Sequence, residues 1–305
     1  MLSLPKEGAR RVYTEPAMTS PEHPRRATVS GITVGDGSPL ALIAGPCVIE
    51  EDDLMMRTAE TLVGIARRLG IPLIFKSSYE KDNRSSAEFY RGPGLEKGLS
   101  ILGRIKSAFG VPVTSDVHRE SDVAPAAEVL DLVQIPAYLC QQTSLLLEAG
   151  RSGRPVNVKK GQFISPAGMK SAVSKLESAG CENILLTERG ASFGYNRLVN
   201  DFTCIPIMKE LGHPVVYDAT HSVRLYGIPS ADPRGGEPQF IPTLARAGVA
   251  AGCDVLFMET HPDPPRARCD AASQFPLPRM EWMLAHAKRL SEIVREADAA
   301  PRGGG

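Results

Sequence analysis

The chain of 305 residues lacks an excess of charge of either sign, because Lys and Arg number 35 and Asp and Glu also number 35. This balance excludes the broad positive field with which many proteins attract nucleic acids or anionic membranes, so we expect neither partner. No apolar run reaches the roughly 18 residues that span a bilayer. Any attraction for charged ligands must therefore come from local clusters of side chains.

Close pairs of cysteines are also missing. The six cysteines, at positions 47, 140, 181, 204, 253 and 269, form no C-x-x-C motif, which is typical of reduced thiols in a cytoplasmic protein. The first 28 residues lack the apolar segment of a secretory signal. We expect residues 1–28 to be a disordered extension, residues 29–298 a single domain and residues 299–305 a disordered tail.

Short β-type runs alternate with segments of helical periodicity along most of the chain. We predict eight strands, near residues 40–45, 72–77, 111–116, 132–136, 155–160, 183–188, 214–219 and 254–259. A helix-period segment follows each strand, and several of these segments end at Gly, as helices often do. A small hairpin over Thr28 to Ser38, with its turn near residues 35–37, is predicted before the first of the eight strands.

Eight β-then-α units match the size and alternation of a (β/α)8 TIM barrel. A doubly wound open sheet is the alternative, but it usually carries a G-x-G-x-x-G motif after its first strand, and residues 43–51 read IAGPCVIEE. We therefore predict an α/β fold, a TIM barrel with a short N-terminal β-hairpin. The catalytic residues of such barrels lie at the C-terminal ends of the strands.

Cations follow several of the predicted strands. They are Lys76, Lys81, Arg84, Lys159 and Arg189. A barrel would gather them on one face, where Arg offers a bidentate fork and Lys a point charge to phosphates and carboxylates. For a single loop cation, a solvated surface position is the ordinary alternative. A Lys that ends an apolar strand is partly buried and needs a partner, so Lys76 and Lys159 are the stronger candidates.

A second group has the side chains of a metal site. Cys47, His221 and Glu259 stand at the ends of the first, seventh and eighth strands, and Asp270 follows in the next loop. A thiolate, an imidazole and two carboxylates suit a divalent transition metal such as Zn, Fe, Mn or Co. Spacing alone leaves open that Cys47 is merely a small buried side chain. We expect Cys269, beside Asp270, to be structural.

Seven motifs together carry a family resemblance. They are, in order, LIAGPCVIE, FKSSYEKDNRSS, QIPAYLCQQT, NVKKGQF, LTERGASFGYN, VYDATHSV and FMETHPDP. The chain resembles, from about Leu40 to about Val294, the 3-deoxy-D-manno-octulosonate 8-phosphate synthases, also called 2-dehydro-3-deoxyphosphooctonate aldolases. The resemblance implies a cytoplasmic, homotetrameric (β/α)8 transferase of class EC 2.5.1. It implies condensation of phosphoenolpyruvate, D-arabinose 5-phosphate and water to the octulosonate 8-phosphate and phosphate, in lipopolysaccharide biosynthesis.

The resemblance also implies a role for each matching residue. Lys76, Lys159 and Arg189 match the residues that hold phosphoenolpyruvate. The residues expected around the pentose and its phosphate are Lys81, Asn83, Arg84 and Ser85, with Asp116 and Gln134 lining the pocket. The residues expected to be catalytic are Cys47, Lys76, Lys159 and His221. The metal ligands expected for the cysteine-containing, metal-dependent branch are Cys47, His221, Glu259 and Asp270.

At three positions the chain lacks an arginine of the family pattern, and Ser144 stands where an aspartate is common. Gln141, Thr203 and Pro238 stand where arginines are common, and Arg234 is a candidate substitute for the last of these. The departures keep open a paralogue that uses a different aldose phosphate, such as a heptulosonate 7-phosphate synthase, although Asn83 favours the pentose. A non-catalytic barrel that only binds ligands is the second alternative.

Overall fold

The computed structural model describes residues 25–229 and 232–299. Its strands are β1 (Arg26–Val29), β2 (Ile32–Gly35), β3 (Ala41–Gly45), β4 (Leu73–Lys76), β5 (Val113–Asp116), β6 (Leu132–Ile135), β7 (Val156–Lys159), β8 (Ile184–Glu188), β9 (Val215–Asp218), β10 (Val255–His261) and β11 (Phe275–Pro276). Its α-helices are α1 (Asp52–Leu69), α2 (Leu95–Phe109), α3 (Glu120–Val129), α4 (Thr143–Arg151), α5 (Lys170–Ser178), α6 (Cys204–Lys209), α7 (Ile241–Ala250) and α8 (Met280–Ala299). All eight predicted barrel strands are confirmed.

The strands β3 to β10 form a closed barrel. They pair in chain order, every pair is parallel, and β10 pairs with both β3 and β9 to complete the ring. One helix follows each barrel strand, and the apolar faces of these helices pack against the outer face of the strands in one large core. The predicted TIM barrel is therefore confirmed, and the alternative of an open sheet is wrong.

The predicted N-terminal hairpin is present, but its turn lies at Ser30 and Gly31 and not near residues 35–37. Both turn residues have positive φ, 46° and 85°, as the tight two-residue turns that match strand twist require. Gly35 instead ends β2, opposite Arg26. The turn-forming residues at 35–37 signal the exit from the hairpin, and sequence reasoning took them for its centre.

The hairpin covers the N-terminal end of the barrel. Ala27, Val29 and Val34 are buried against the apolar residues that fill the lower barrel interior, among them Ile43 and Phe257. This apolar packing leaves the opposite, C-terminal end as the place for a polar site. The predicted disordered extension and tail lie mainly outside the described residues, although residues 26–28 belong to β1.

The loop after β10 returns to the sheet. β11 pairs in parallel with the extended end of β10, Thr260 facing Phe275. The loop between them, residues 262–274, is thus fixed at both ends over the C-terminal mouth of the barrel, and it carries Cys269 and Asp270. No helix among the described residues is long and apolar enough to cross a membrane.

Candidate active site

A cavity of about 230 Å³ opens at the C-terminal ends of the barrel strands. Nine of the predicted site residues line it: Lys81, Asn83, Arg84, Ser85, Asp116, Lys159, Arg189, His221 and Asp270. The other four, Cys47, Lys76, Gln134 and Glu259, are completely or almost completely buried and contact the lining residues. The barrel therefore brings all thirteen predicted residues to one end.

Lys76 lies at the end of β4 with no solvent exposure. Its Nζ donates to Glu259 Oε1 at 2.5 Å and to the backbone oxygen of Cys47 at 3.0 Å. Burial opposes ionisation of Glu259, but His221 and then Lys76 outweigh it and hold the pKa of Glu259 well below its usual value. The Glu259 carboxylate is therefore ionised, and its buried charge is compensated by the cations around it.

Asp116 ends β5 and collects three donors. Its Oδ2 accepts from Ser78 Oγ at 2.7 Å and from Lys81 Nζ at 3.1 Å, and its Oδ1 accepts from Gln134 Nε2 at 2.6 Å. Burial opposes its ionisation, but Lys81 and then Lys76 hold the pKa of Asp116 well below its usual value. The carboxylate thus neutralises and orients Lys81 at the wall of the cavity.

A chain of hydrogen bonds continues behind Asp116 through three strands. Gln134 Oε1 accepts from Asn157 Nδ2 at 2.9 Å, and Asn157 Oδ1 accepts from Thr187 Oγ1 at 2.7 Å. All three side chains are fully buried. Gln134, predicted to line the substrate pocket, therefore supports Asp116 from below the cavity. Sequence reasoning did not identify Asn157 or Thr187, since each reads as an ordinary inward-facing strand residue.

Lys159, Asp218 and His221 form a connected group beside the cavity. Asp218 Oδ2 lies 2.6 Å from both Lys159 Nζ and His221 Nδ1, and Lys159 Nζ lies 4.1 Å from the centre of the Phe257 ring. Burial opposes ionisation of Asp218, but His221 and then Lys159 hold its pKa well below its usual value. With Nδ1 directed at Asp218, the Nε2 atom of His221 faces the predicted metal ligands.

The predicted metal ligands lie in two adjacent groups that share Asp270: His221 and Glu259 belong to one, and Cys47 belongs to the other. His221 Nε2 lies 3.4 Å from Glu259 Oε2 and 3.7 Å from Asp270 Oδ2, and Asp270 Oδ2 lies 3.5 Å from Cys47 Sγ. Glu259 Oε2 is buried and has no hydrogen-bond partner among the described residues. A buried carboxylate oxygen that faces an imidazole and a second carboxylate has the environment of a metal ligand, so these residues fit a divalent ion.

Cys269, assigned a structural role from sequence, lies inside this cluster. Its Sγ is 3.1 Å from Cys47 Sγ, and the ligand atoms of Cys47, Cys269 and Asp270 all lie within 4.8 Å of one another. Burial, followed by the contact with Cys269, raises the pKa of the Cys47 thiol well above its usual value. Binding of a metal to Cys47 would therefore have to displace a proton.

Arg189 enters the cavity from the end of β8. It is only 6% exposed, and its NH1 group has no hydrogen-bond partner among the described residues. The turn that carries it is fixed, because Glu188 Oε1 accepts from the backbone N–H groups of Arg189 and Gly190. A buried guanidinium that lines a cavity, and whose NH1 group has no hydrogen-bond partner among the described residues, is arranged to bind an anion.

Ion pairs hold the loop that carries Asn83 and Ser85. Arg119 NH1 lies 2.6 Å from Glu80 Oε2, and its NH2 lies 2.9 Å from Asp82 Oδ2. Arg91 pairs with the same two carboxylates. A network of four charges keeps more of its strength than an isolated surface pair does, so it restrains the loop beside the cavity.

The three departures from the family pattern lie away from the cavity of this chain. Gln141, Thr203 and Pro238 are exposed. Arg234, the candidate substitute, is also exposed and pairs with Asp232 at 2.7 Å. Sequence reasoning overlooked a different cation: Arg224, three residues beyond His221, lines the cavity.

Comparison with known proteins identifies relatives over most of the chain. The model of the DAHP synthetase I family matches residues 17–296. The 2-dehydro-3-deoxyphosphooctonate aldolase of Geobacter sp. (strain M21) is 51% identical over 272 residues, which cover 89% of this chain and 99% of that protein. The enzyme of the same name from Desulfotalea psychrophila is 51% identical over 267 residues, covering 88% of this chain and 95% of that protein.

The same name belongs to a relative in Citrifermentans bemidjiense, 51% identical over 272 residues, with 89% of this chain and 99% of that protein covered. The family match over residues 17–296 covers all eight strands of the barrel. The chain therefore belongs to the DAHP synthetase I family and, within it, to the 2-dehydro-3-deoxyphosphooctonate aldolases.

Proposed function

We propose that this protein condenses phosphoenolpyruvate with D-arabinose 5-phosphate and water, giving 3-deoxy-D-manno-octulosonate 8-phosphate and phosphate. The observation that carries the proposal is the convergence of Lys81, Arg84, Lys159 and Arg189 on one cavity beside a metal-like cluster. Two polyanionic substrates repel each other in water, and a set of fixed cations removes that cost. The activity makes the protein a transferase, and its product serves lipopolysaccharide biosynthesis.

The donor subsite is proposed at Lys76, Lys159 and Arg189. Arg189 offers a buried guanidinium that has an NH1 group without a protein partner, and Lys159 lies at the cavity wall beside it. Their charges suit the phosphate and carboxylate of phosphoenolpyruvate. Lys76 is fully buried beneath them and paired with Glu259, so its contribution to donor binding includes the fixing of that carboxylate.

The acceptor subsite is proposed on the loop after β4. Asn83 and Ser85 are exposed at the cavity, while Lys81 is nearly buried and oriented by Asp116. An amide and an ammonium can hydrogen-bond the pentose hydroxyls, and Arg84 with the Ser85 hydroxyl can bind the phosphate. Asn83 thus remains the residue that favours a pentose over the erythrose 4-phosphate of the paralogous heptulosonate 7-phosphate synthases.

A divalent transition metal is proposed at Cys47, His221, Glu259 and Asp270. Zn, Fe, Mn and Co all suit this set of S, N and O donors. When bound, such an ion supplies Lewis acidity to a carbonyl oxygen or to water. The buried oxygen of Glu259 that lacks a hydrogen-bond partner among the described residues supports the assignment. With Cys47 in the A-G-P-x motif, we assign the chain to the metal-dependent branch of the family.

The proposed chemistry follows from the family resemblance. Carbon 3 of phosphoenolpyruvate attacks the aldehyde carbon and forms a C–C bond, while water adds to carbon 2. The aldehyde oxygen gains a proton and the added water loses one. The resulting hemiketal phosphate releases inorganic phosphate by cleavage of its C–O bond, which leaves a ketone at carbon 2. The role of the protein cations is to hold both substrates and to stabilise the charges that develop.

A phosphate-release assay tests the proposal. The purified protein is incubated with phosphoenolpyruvate and one sugar phosphate at a time. The three sugar phosphates are arabinose 5-phosphate, ribose 5-phosphate and erythrose 4-phosphate. Arabinose 5-phosphate is expected to have the highest specificity constant. A higher value for either other sugar would favour the paralogue alternative. Absence of release with every sugar, in protein loaded with each candidate metal, would favour the non-catalytic alternative.

A homotetramer is proposed on the basis of apolar side chains around the mouth. Phe193 is 83% exposed, Tyr195 is fully exposed, and Tyr138 and Phe163 are half exposed, all on loops that follow neighbouring strands. Large apolar side chains exposed in this way are typical of a contact between subunits. Sedimentation equilibrium should give four times the chain mass of 32.8 kDa. The cytoplasmic location stays a prediction.

A further inference from the structure

Arg224 is a cation of the cavity that no family motif assigns. Its side chain lines the cavity and is 15% exposed. The backbone that carries it is fixed on both sides, by a hydrogen bond from Arg224 N to His221 O at 3.3 Å and by an antiparallel bridge to Gly236. The position of Arg224 relative to the loop of His221 is therefore defined by main-chain contacts.

Arg224 and Arg84 contact neighbouring residues of the loop after β10. Arg224 NH1 lies 3.4 Å from Asp270 Oδ1, and Arg84 NH1 lies 2.9 Å from Cys269 Sγ. The side-chain ligand atoms of Cys269 and Asp270 lie within 4.8 Å of each other, so the two guanidiniums reach the cavity at the same side of its mouth. Arg84 belongs to the loop that is proposed to bind the phosphate of the acceptor.

The lysines of the site are already matched with carboxylates. Lys76 pairs with Glu259, Lys81 with Asp116 and Lys159 with Asp218, all at 3.1 Å or less. Lys159 is assigned to phosphoenolpyruvate and Lys81 to the pentose hydroxyls, so a phosphate on the second substrate needs further cations at the mouth. A phosphate dianion at the mouth is bound best by guanidinium forks, and a guanidinium with five N–H donors can contact Asp270 and a phosphate together.

We propose that Arg224 acts with Arg84 as a second guanidinium that binds the phosphate group of the acceptor sugar. The assignment rests on the proposed function for the identity of the sugar. Gln141, Thr203 and Pro238 do not line the cavity of this chain. The arginines that line it are Arg84, Arg189 and Arg224, and Arg189 is assigned to the donor. On this assignment, the preference of the site for phosphorylated sugars depends on Arg224 as well as on Arg84.

The test uses Arg224→Gln, Arg224→Lys and the matched control Arg104→Gln, which removes an exposed arginine paired with Asp52 on the outer helices. Loss of one charge-assisted contact should raise the KM for arabinose 5-phosphate by about 10- to 100-fold in Arg224→Gln. The KM for phosphoenolpyruvate, the kcat and the bound metal should stay within about threefold. The KM of Arg224→Lys for arabinose 5-phosphate should lie between those of the native protein and Arg224→Gln, because lysine keeps the charge and loses the guanidinium fork. Arg104→Gln should match the native protein.

Titration calorimetry with arabinose 5-phosphate and with inorganic phosphate gives a readout that does not depend on turnover. Weaker binding of both ligands to Arg224→Gln supports the assignment, even if the native protein fails to condense this sugar and the proposed function falls. Unchanged binding overturns the assignment. A fall in kcat with loss of bound metal and an unchanged KM for the sugar also overturns it, because Arg224 would then act only by holding Asp270.

Discussion

Gln134 holds Asp116 through a hydrogen bond of 2.6 Å between two fully or nearly buried side chains on adjacent strands. The amide of Gln134 is oriented in turn by Asn157, which is oriented by Thr187. Asp116 meanwhile accepts from Lys81. The cation at the cavity wall is thus positioned by two neutral amides and a hydroxyl that are fully buried behind it.

Asn157→Ala should lower the stability of the protein and its activity together. The substitution leaves Gln134 Oε1 without its donor and Thr187 Oγ1 without its acceptor, and each unsatisfied buried group costs about 1 to 3 kcal/mol. Urea unfolding of the metal-loaded protein measures the loss. Gln239→Ala, at an exposed amide, is the control and should change little. Equal stabilities for the two variants would show that the chain of hydrogen bonds contributes nothing.

Lys159→Ala or Arg189→Ala should each cost about 2 to 4 kcal/mol in transition-state stabilisation, as loss of one close charge contact typically does. The measurement is kcat/KM for phosphoenolpyruvate at saturating acceptor. Lys170→Ala removes an exposed lysine from α5 and should leave this value unchanged. Turnover near the native level in either site variant would refute the proposed donor subsite.

Removal of metal should abolish activity, and addition of Mn, Co, Zn or Fe should restore it. Cys47→Ala should also remove tight metal binding, measured by elemental analysis after gel filtration. Cys253→Ala, at a buried thiol at the N-terminal end of the barrel wall, should retain the metal. Full activity after exhaustive chelation, in protein that contains no residual metal, would contradict metal dependence.

The contribution of Asp116 to stability should depend on pH. Lys81 and Lys76 hold its pKa well below its usual value in the folded protein, whereas the unfolded value is about 3.9. The ionised form therefore stabilises the fold at a pH above about 4, and this stability is lost as the pH falls through the lower folded value. Asp116→Asn should lower the free energy of unfolding at about pH 7, and the difference should shrink below about pH 4. A difference that stays constant over this range would contradict the low folded pKa.

The barrel and most of the site could be predicted because their signals are local. Each apolar strand ends abruptly at a polar residue such as Lys76 or Glu259, and parallel strands that close into a barrel bring these ends together. The hairpin turn was placed wrongly because Gly35 and its neighbours suit a turn as well as Ser30 and Gly31 do. Turn residues show that the chain bends, and they do not show which bend joins two paired strands.

Other contacts depend on side-chain directions that no sequence pattern records. Cys269 could be read as a structural thiol, and only the return of the loop through β11 brings its sulfur to Cys47. Arg224 is one cation among many in the sequence until the bridge to Gly236 fixes its position at the cavity. Asn157 resembles any polar residue in a strand, and its role depends on the register between β6 and β7.

The hairpin at the N-terminal end of the barrel affects the order in which substrates bind and products leave. Because Ala27, Val29 and Val34 cover the N-terminal end of the described barrel, ligands arrive and depart through the C-terminal mouth. The donor cations lie deep, whereas Asn83 and Ser85 are exposed at the rim. A sugar phosphate bound at the rim therefore blocks the entry and exit of a ligand bound at the donor cations. Initial-rate kinetics should therefore show that phosphoenolpyruvate binds before the sugar phosphate. Product-inhibition kinetics should show that the octulosonate 8-phosphate, whose phosphate is bound at the rim, leaves before inorganic phosphate bound below it.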